Sequence, residues 1–129
     1  MIRLQILKGL PALVVMGVIF WFSAHPSDEL PNFDWADRLV KKAGHLLGYA
    51  LLAVSYAHAL GRRIYGNWLA WILAMLYAIT DEIHQTFVPG RNPSIWDVLI
   101  FDNLGALISI GLLRLYKAQR SDSLGPIVE

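Results

Sequence analysis

Long apolar runs alternate along this chain with short clusters of polar residues. Runs at about 4–23, 43–60, 67–86 and 95–114 each approach the ~20 residues that an α-helix needs to cross ~30 Å of hydrocarbon. They leave a loop at about 24–42, a turn around Gly61-Arg62-Arg63, a short loop at about 87–94 and a polar tail. The pattern predicts an all-α membrane protein, a bundle of four transmembrane helices forming one domain over residues 1–129. Arg3 and Lys8 precede the first apolar run, as they do in a signal peptide. The small-x-small cleavage pattern fails around Ser23-Ala24-His25-Pro26, which favours an uncleaved span.

The polar positions are placed unevenly. The third run ends in Thr80-Asp81-Glu82-Ile83-His84-Gln85, and with Asp81 at 0° on a helix Gln85 falls at about +40°, His84 at about −60° and Glu82 at about +100°. On the second run His45, Tyr49, Lys42 and Tyr56 form one stripe flanked by Gly48 and Ser55. Gly44 and Gly48, then Ser55 and Ala59, stand four apart, a spacing that predicts close helix approach on this side. The fourth run opens with Asp97 and carries Asp102 and Asn103 deeper, beside Gly105, Ala106 and Ser109. A carboxylate roughly 12 Å into a span costs at least ~2.5 kcal/mol, so Asp102 must be neutralised, paired or hydrated. These three polar faces lie at one level and predict a shared cavity. Pro89-Gly90-Arg91 predicts a tight turn that sets a guanidinium over its mouth, and Ser94 an N-cap for the fourth helix.

Composition strengthens the membrane assignment. Of 129 residues, 56% are hydrophobic and 16% charged, and the mean hydropathy is +0.46. A net charge of +1 gives no nucleic-acid signature, and the absence of cysteine removes disulfides and thiolate metal sites. Basic residues beside the spans favour both termini on the cytoplasmic side: Arg3, Lys8, Arg62, Arg63, Arg114, Lys117 and Arg120 inside against Arg38, Lys41, Lys42 and Arg91 outside. The polar cavity then faces away from the cytoplasm.

The order FSAHP (22–26), KKAGHLLGY (41–49), DEIHQTFVPGR (81–91) and DVLIFDNLGA (97–106) resembles the VanZ-like family of bacterial membrane proteins over about residues 20–113. The resemblance implies a multi-pass protein of the cell envelope, associated with resistance to the glycopeptide teicoplanin. It carries over Lys42, His45, Tyr49, Asp81, Glu82, His84, Gln85, Arg91, Asp97 and Asp102 as the recurring polar residues. It also implies departures: Lys41 where an acid is usual, His25 where glutamine is expected, and one residue more than usual between Asp97 and Asp102. Five apart, those acids stand about 140° apart on an α-helix, on different faces.

Several chemistries are open to this set. His45 with Asp81 forms an acid–base pair, and Glu82, His84 and Asp102 orient or tune it. Lys42 and Arg91 suit the phosphate or carboxylate of a lipid-linked envelope precursor or a glycopeptide, beside Tyr49, Gln85 and Asp97. A divalent metal at Asp81, His84 and His45, with Asp102, is a second possibility, because Asp81 and His84 have the i, i+3 spacing of helical-bundle metal centres. A third reading is a non-catalytic binding or scaffold module, its helices joined by a structural polar network. His58, on the side opposite His45, reads as a residue with no part in the site, and Trp21, Trp35, Trp68, Trp71 and Trp96 as interfacial anchors.

Overall fold

The computed structural model describes residues 2–26, 28–30, 34–61 and 66–123. Four helices account for most of them: α1 (Ile2–Ala24), α2 (Asp37–Leu60), α3 (Gly66–Gln85) and α4 (Asn103–Ser123). A 3₁₀ turn at Asp34–Ala36 leads into α2, and a π-helical turn at Asp97–Asp102 leads into α4. No strand occurs among the described residues.

Two helix limits differ from the apolar runs, for one reason. Helix α2 begins at Asp37, inside the expected loop, because an acid in the first turn complements the helix dipole and Asp37 pairs with Lys41 at 2.7 Å. Helix α4 continues through Arg114, Lys117 and Arg120, with Arg120 in the last turn where a cation suits the dipole. Charges can prolong a helix that hydropathy cannot see. Gly61, at φ 70°, ends α2. Arg62 and Arg63, two of the basic residues behind the proposed orientation, lie outside the described residues, as does the Arg3 side chain.

Helix α2 is central and touches the other three. Its contacts with α3 and α4 are made by small residues: Ala53, Ala57, Ala70, Ala74 and Ala106, closed by Ile110. Between helices in lipid the hydrophobic effect gives little drive, so close backbone approach must provide the contact energy. The closest approach is at Gly105, where a Cβ would overlap the Leu46 carbonyl. Large apolar side chains point outward instead, among them Leu7, Leu13, Leu51, Leu112 and Leu115.

The stretches Leu7–Ala24, Asp37–Leu60 and Asp97–Ser121 are long and apolar enough to cross a membrane. Helix α3 is not among them. Gly66 and Asn67 at its start and Asp81, Glu82, His84 and Gln85 at its end lower its hydropathy. The residues that suggest a site thus weaken the case for a fourth span.

The π-helical turn corrects one expectation. The Asn103 N–H reaches the Val98 carbonyl, five residues earlier, as well as that of Ile100. In such an i→i+5 ladder, residues five apart return to nearly the same side. Asp97 and Asp102 therefore both face α2, whereas a regular α-helix would set them about 140° apart.

Candidate functional site

Two rungs join α2 to the start of α4. Lys42 Nζ lies 3.8 Å from Asp97 Oδ1 and 4.5 Å above the Phe101 ring. One helical turn further, His45 Nδ1 lies 3.1 Å from Oδ1 of Asp102, whose residue surface is only 1% exposed. The extra residue of the π turn lets both acids serve these rungs. The sequence pairs His45 with Asp81; in the structure the hydrogen bond goes to Asp102. With that carboxylate as acceptor, Nδ1 carries the ring proton and Nε2 is left basic.

Asp81 is the hub of a second cluster. Its Oδ2 accepts hydrogen bonds from Ser23 Oγ at 2.8 Å, Gln85 Nε2 at 3.2 Å and the Tyr49 hydroxyl at 3.3 Å. Those donors come from α1, α3 and α2, so one oxygen ties three helices together. Its Oδ1 is buried and has no partner among the described residues. Tyr49 and His45 are neighbours on α2, their ring centroids 6.3 Å apart, and they bring the two carboxylate centres side by side.

Between α1 and α2 lies a cavity of about 400 Å³. Ser23, Lys41, His45, Tyr49, Asp81 and Arg91 form its polar part, while Val18, Ile19, Phe22, Gly44 and Gly48 are among the residues of its apolar wall. Val18, Phe22 and Gly44 are also exposed on the outside of the bundle, so the cavity is open along the α1–α2 seam. The glycine spacing on α2 therefore does different work from that expected. Nothing stands within 4 Å of a Cβ built at Gly44, and at Gly48 the nearest atom is Ile19 Cγ1 at 3.5 Å. The stripe leaves space, and the Ser55 hydroxyl bonds back to Leu51 O within its own helix.

Arg91 lines this cavity, which lies beside α1 and not among α2, α3 and α4 as expected. It stands on a turn closed by its N–H to Val88 O at 3.3 Å, with Gly90 at φ 73°. Its guanidinium also caps α1: Nε donates to the His25 carbonyl at 3.0 Å and Nη2 to that of Phe22. Burial lowers its pKa from the ordinary value, opposed by the nearby Asp81 and Glu82 charges. Glu82 accepts the Ser94 N–H and fastens the loop to α3. The Ser94 backbone is thus engaged, its carbonyl accepting from Asp97 N–H at 2.8 Å, and no side-chain cap is made at the start of the π turn.

His84 stands apart. Its ring stacks on Phe20 of α1 with centroids 4.7 Å apart, and Nε2 is buried without a partner among the described residues. Asp81, His84 and His45 do not gather: among the described residues no three His, Asp or Glu side chains are placed to hold a metal ion. The residues do not fit a metal centre.

A family model described as VanZ/LLP1 matches residues 9–117, and so covers every polar residue of both clusters. The chain belongs to the VanZ/LLP1 family. No curated protein and no solved structure matches it. The matched span of this VanZ/LLP1 protein also holds polar contacts that the sequence pattern did not single out. Ser23 is one; its signal was a lone hydroxyl ending an apolar helix within FSAHP. Trp71 Nε1 donates to Asn103 Oδ1 at 2.9 Å, which makes this tryptophan an internal contact and not an interfacial anchor. The Tyr77 hydroxyl donates to Met16 O at 2.7 Å and ties α3 to the middle of α1. His58 is exposed and stands apart from both clusters.

Proposed function

We propose that this VanZ/LLP1 protein crosses the bacterial cytoplasmic membrane four times with both termini inside. Its outward cavity recognises, and through His45 modifies, an anionic lipid-linked component of the cell envelope, thereby lowering susceptibility to a glycopeptide such as teicoplanin. The observation that carries this reading is the placing of His45 on the cavity wall with buried Asp102 behind it. A carboxylate on Nδ1 makes imidazole a better base and fixes its orientation. Asp81 stands beside it as a second acidic group, and Arg91 supplies positive charge at the mouth. Lys42, paired with Asp97, and Tyr49 and Gln85, bound to Asp81, hold this arrangement. Glu82 and His84 fix the loop and the α1 contact around it.

The test is His45→Asn, which keeps an amide donor near the Nδ1 position and removes the titrating ring. In a susceptible bacterium the wild-type chain should raise the teicoplanin concentration needed to inhibit growth, and H45N should lose that effect at unchanged membrane abundance. Full activity in H45N defeats the proton-transfer reading.

A non-catalytic scaffold is the alternative, favoured by the three donors from three helices that meet on one Asp81 oxygen. Under that reading Asp81→Asn removes the folded protein from the membrane, and H45N changes nothing except stability.

A further inference from the structure

The cavity makes two unmet demands of opposite kind. Asp81 lines it, is 4% exposed, and keeps Oδ1 without a hydrogen-bond donor while Oδ2 holds three. An unpaired buried carboxylate oxygen is costly, and a ligand that brings an O–H or N–H relieves it. Arg91 lines the same cavity and has five N–H donors, of which one on Nε and one on Nη2 are used on α1 carbonyls. Among the described residues no carboxylate forms an ion pair with it, whereas Lys41 is matched by Asp37 and Lys42 by Asp97. The remaining guanidinium donors suit phosphate oxygens.

The wall indicates what the rest of the ligand is. Val18, Ile19 and Phe22 on one side and Gly44 and Gly48 on the other make an aliphatic slot that is open along the seam where α1 and α2 would face lipid. A volume of about 400 Å³ lies within the ~300–1,000 Å³ typical of small-molecule sites and holds a head group with the first part of a chain. A free phosphate ion would leave that slot empty.

From these demands we infer that the cavity binds a phospholipid entering sideways between α1 and α2, with a head group that joins a phosphodiester to a hydroxyl or ammonium donor. The phosphodiester meets Arg91, the donor meets Asp81 Oδ1, and the chain lies along Gly44 and Gly48. The inference rests on the cavity being a ligand site, as proposed above, and names the class of ligand.

The test uses the full-length chain in vesicles of phosphatidylcholine, alone or with phosphatidylethanolamine or phosphatidylglycerol added, followed by extraction and mass spectrometry of retained lipid. Phosphatidylcholine has the phosphodiester but no N–H or O–H donor. The ethanolamine or the glycerol lipid should be retained about tenfold over it, the effect of one hydrogen bond to a charged group. Inorganic phosphate should not displace the bound lipid. Equal retention of phosphatidylcholine, retention of no lipid, or displacement by inorganic phosphate overturns the assignment.

Asp81→Asn should abolish the preference. Should that variant not fold, Gly44→Leu decides alone: its side chain fills the slot without meeting an existing atom at Cβ, so lipid retention should fall while the protein melts no lower than wild type, leucine being the better helix former. Unchanged retention in G44L overturns the inference. Absence of donor preference with the teicoplanin effect intact rejects the lipid assignment alone. Selective retention with H45N as active as wild type rejects the proton chemistry alone.

Discussion

Helix α2 meets a neighbour on either side with glycine at the contact, and the two seams end in opposite states. Toward α4, Gly105 lets the backbones close until the Leu46 carbonyl occupies the space a Cβ would need. Toward α1, Gly44 has open space around it and Gly48 touches only an Ile19 side chain. The difference lies in where polar anchors pull. The His45–Asp102 and Lys42–Asp97 rungs draw the start of α4 directly onto α2. Helix α1 takes from α2 only the weak bond of the Tyr56 hydroxyl to Met16 Sδ at 3.1 Å, and is otherwise held from elsewhere: Ser23 by Asp81 on α3, Met16 O by Tyr77, and its final carbonyls by Arg91. A glycine permits contact; the anchors decide whether contact or a cavity results.

The sharpest way to break this comparison is Gly105→Ala. A methyl group against backbone oxygen cannot be relieved by a rotamer change, so the closed seam should lose about 3 kcal/mol, read as reversible unfolding of the purified chain in mild detergent and denaturant. A wild-type unfolding curve would show that the seam is looser than described. Trp71→Phe takes from Asn103 the donor that ties α3 to α4, outside that seam, and should cost about 1 kcal/mol in the same assay.

The role of the π turn is tested by deleting Leu99, an exposed residue within it. The deletion restores a regular helix in which Asp97 and Asp102 stand four apart, about 40° from one another, so both still face α2. A double-mutant cycle of Lys42→Met with Asp97→Asn should then keep its coupling, about 0.5 kcal/mol for a half-exposed pair. Coupling lost on deletion argues against the turn as the device that absorbs the extra residue. The smallest effect belongs to the open seam and has the opposite sign: Gly44→Ala should raise stability by about 0.5 kcal/mol, because alanine loses less backbone entropy than glycine in a helix and meets no atom there. A large destabilisation there would mean that the seam closes in the membrane.

What the sequence shows follows from which forces leave a mark in residue type. Four helices were legible as long apolar runs, three of them long and apolar enough to cross a membrane, and the inward facing of His45, Asp81 and Asp102 because buried charge needs a partner. The start of α2 at Asp37 was hidden, since a salt bridge and a helix dipole reduce hydropathy while they extend a helix. The π turn was hidden too: an added residue reads as a change of face, and only the Asn103-to-Val98 hydrogen bond shows that the face is kept. Ser23 escaped notice because a hydroxyl near a helix end usually bonds to its own backbone, as Ser55 does. Arg91 was placed at the cavity mouth by its turn, but its bonds to Phe22 and His25 depend on where α1 ends in space.

The Arg91 cap also constrains biogenesis. Arg91 follows His25 by 66 residues and Phe22 by 69. At about 5–20 residues per second of synthesis, the nascent chain carries a finished α1 for several seconds before the guanidinium that will hold it has been made. A polypeptide truncated after α3 would keep the Ser23–Asp81 bond but leave the last carbonyls of the first helix without their cap.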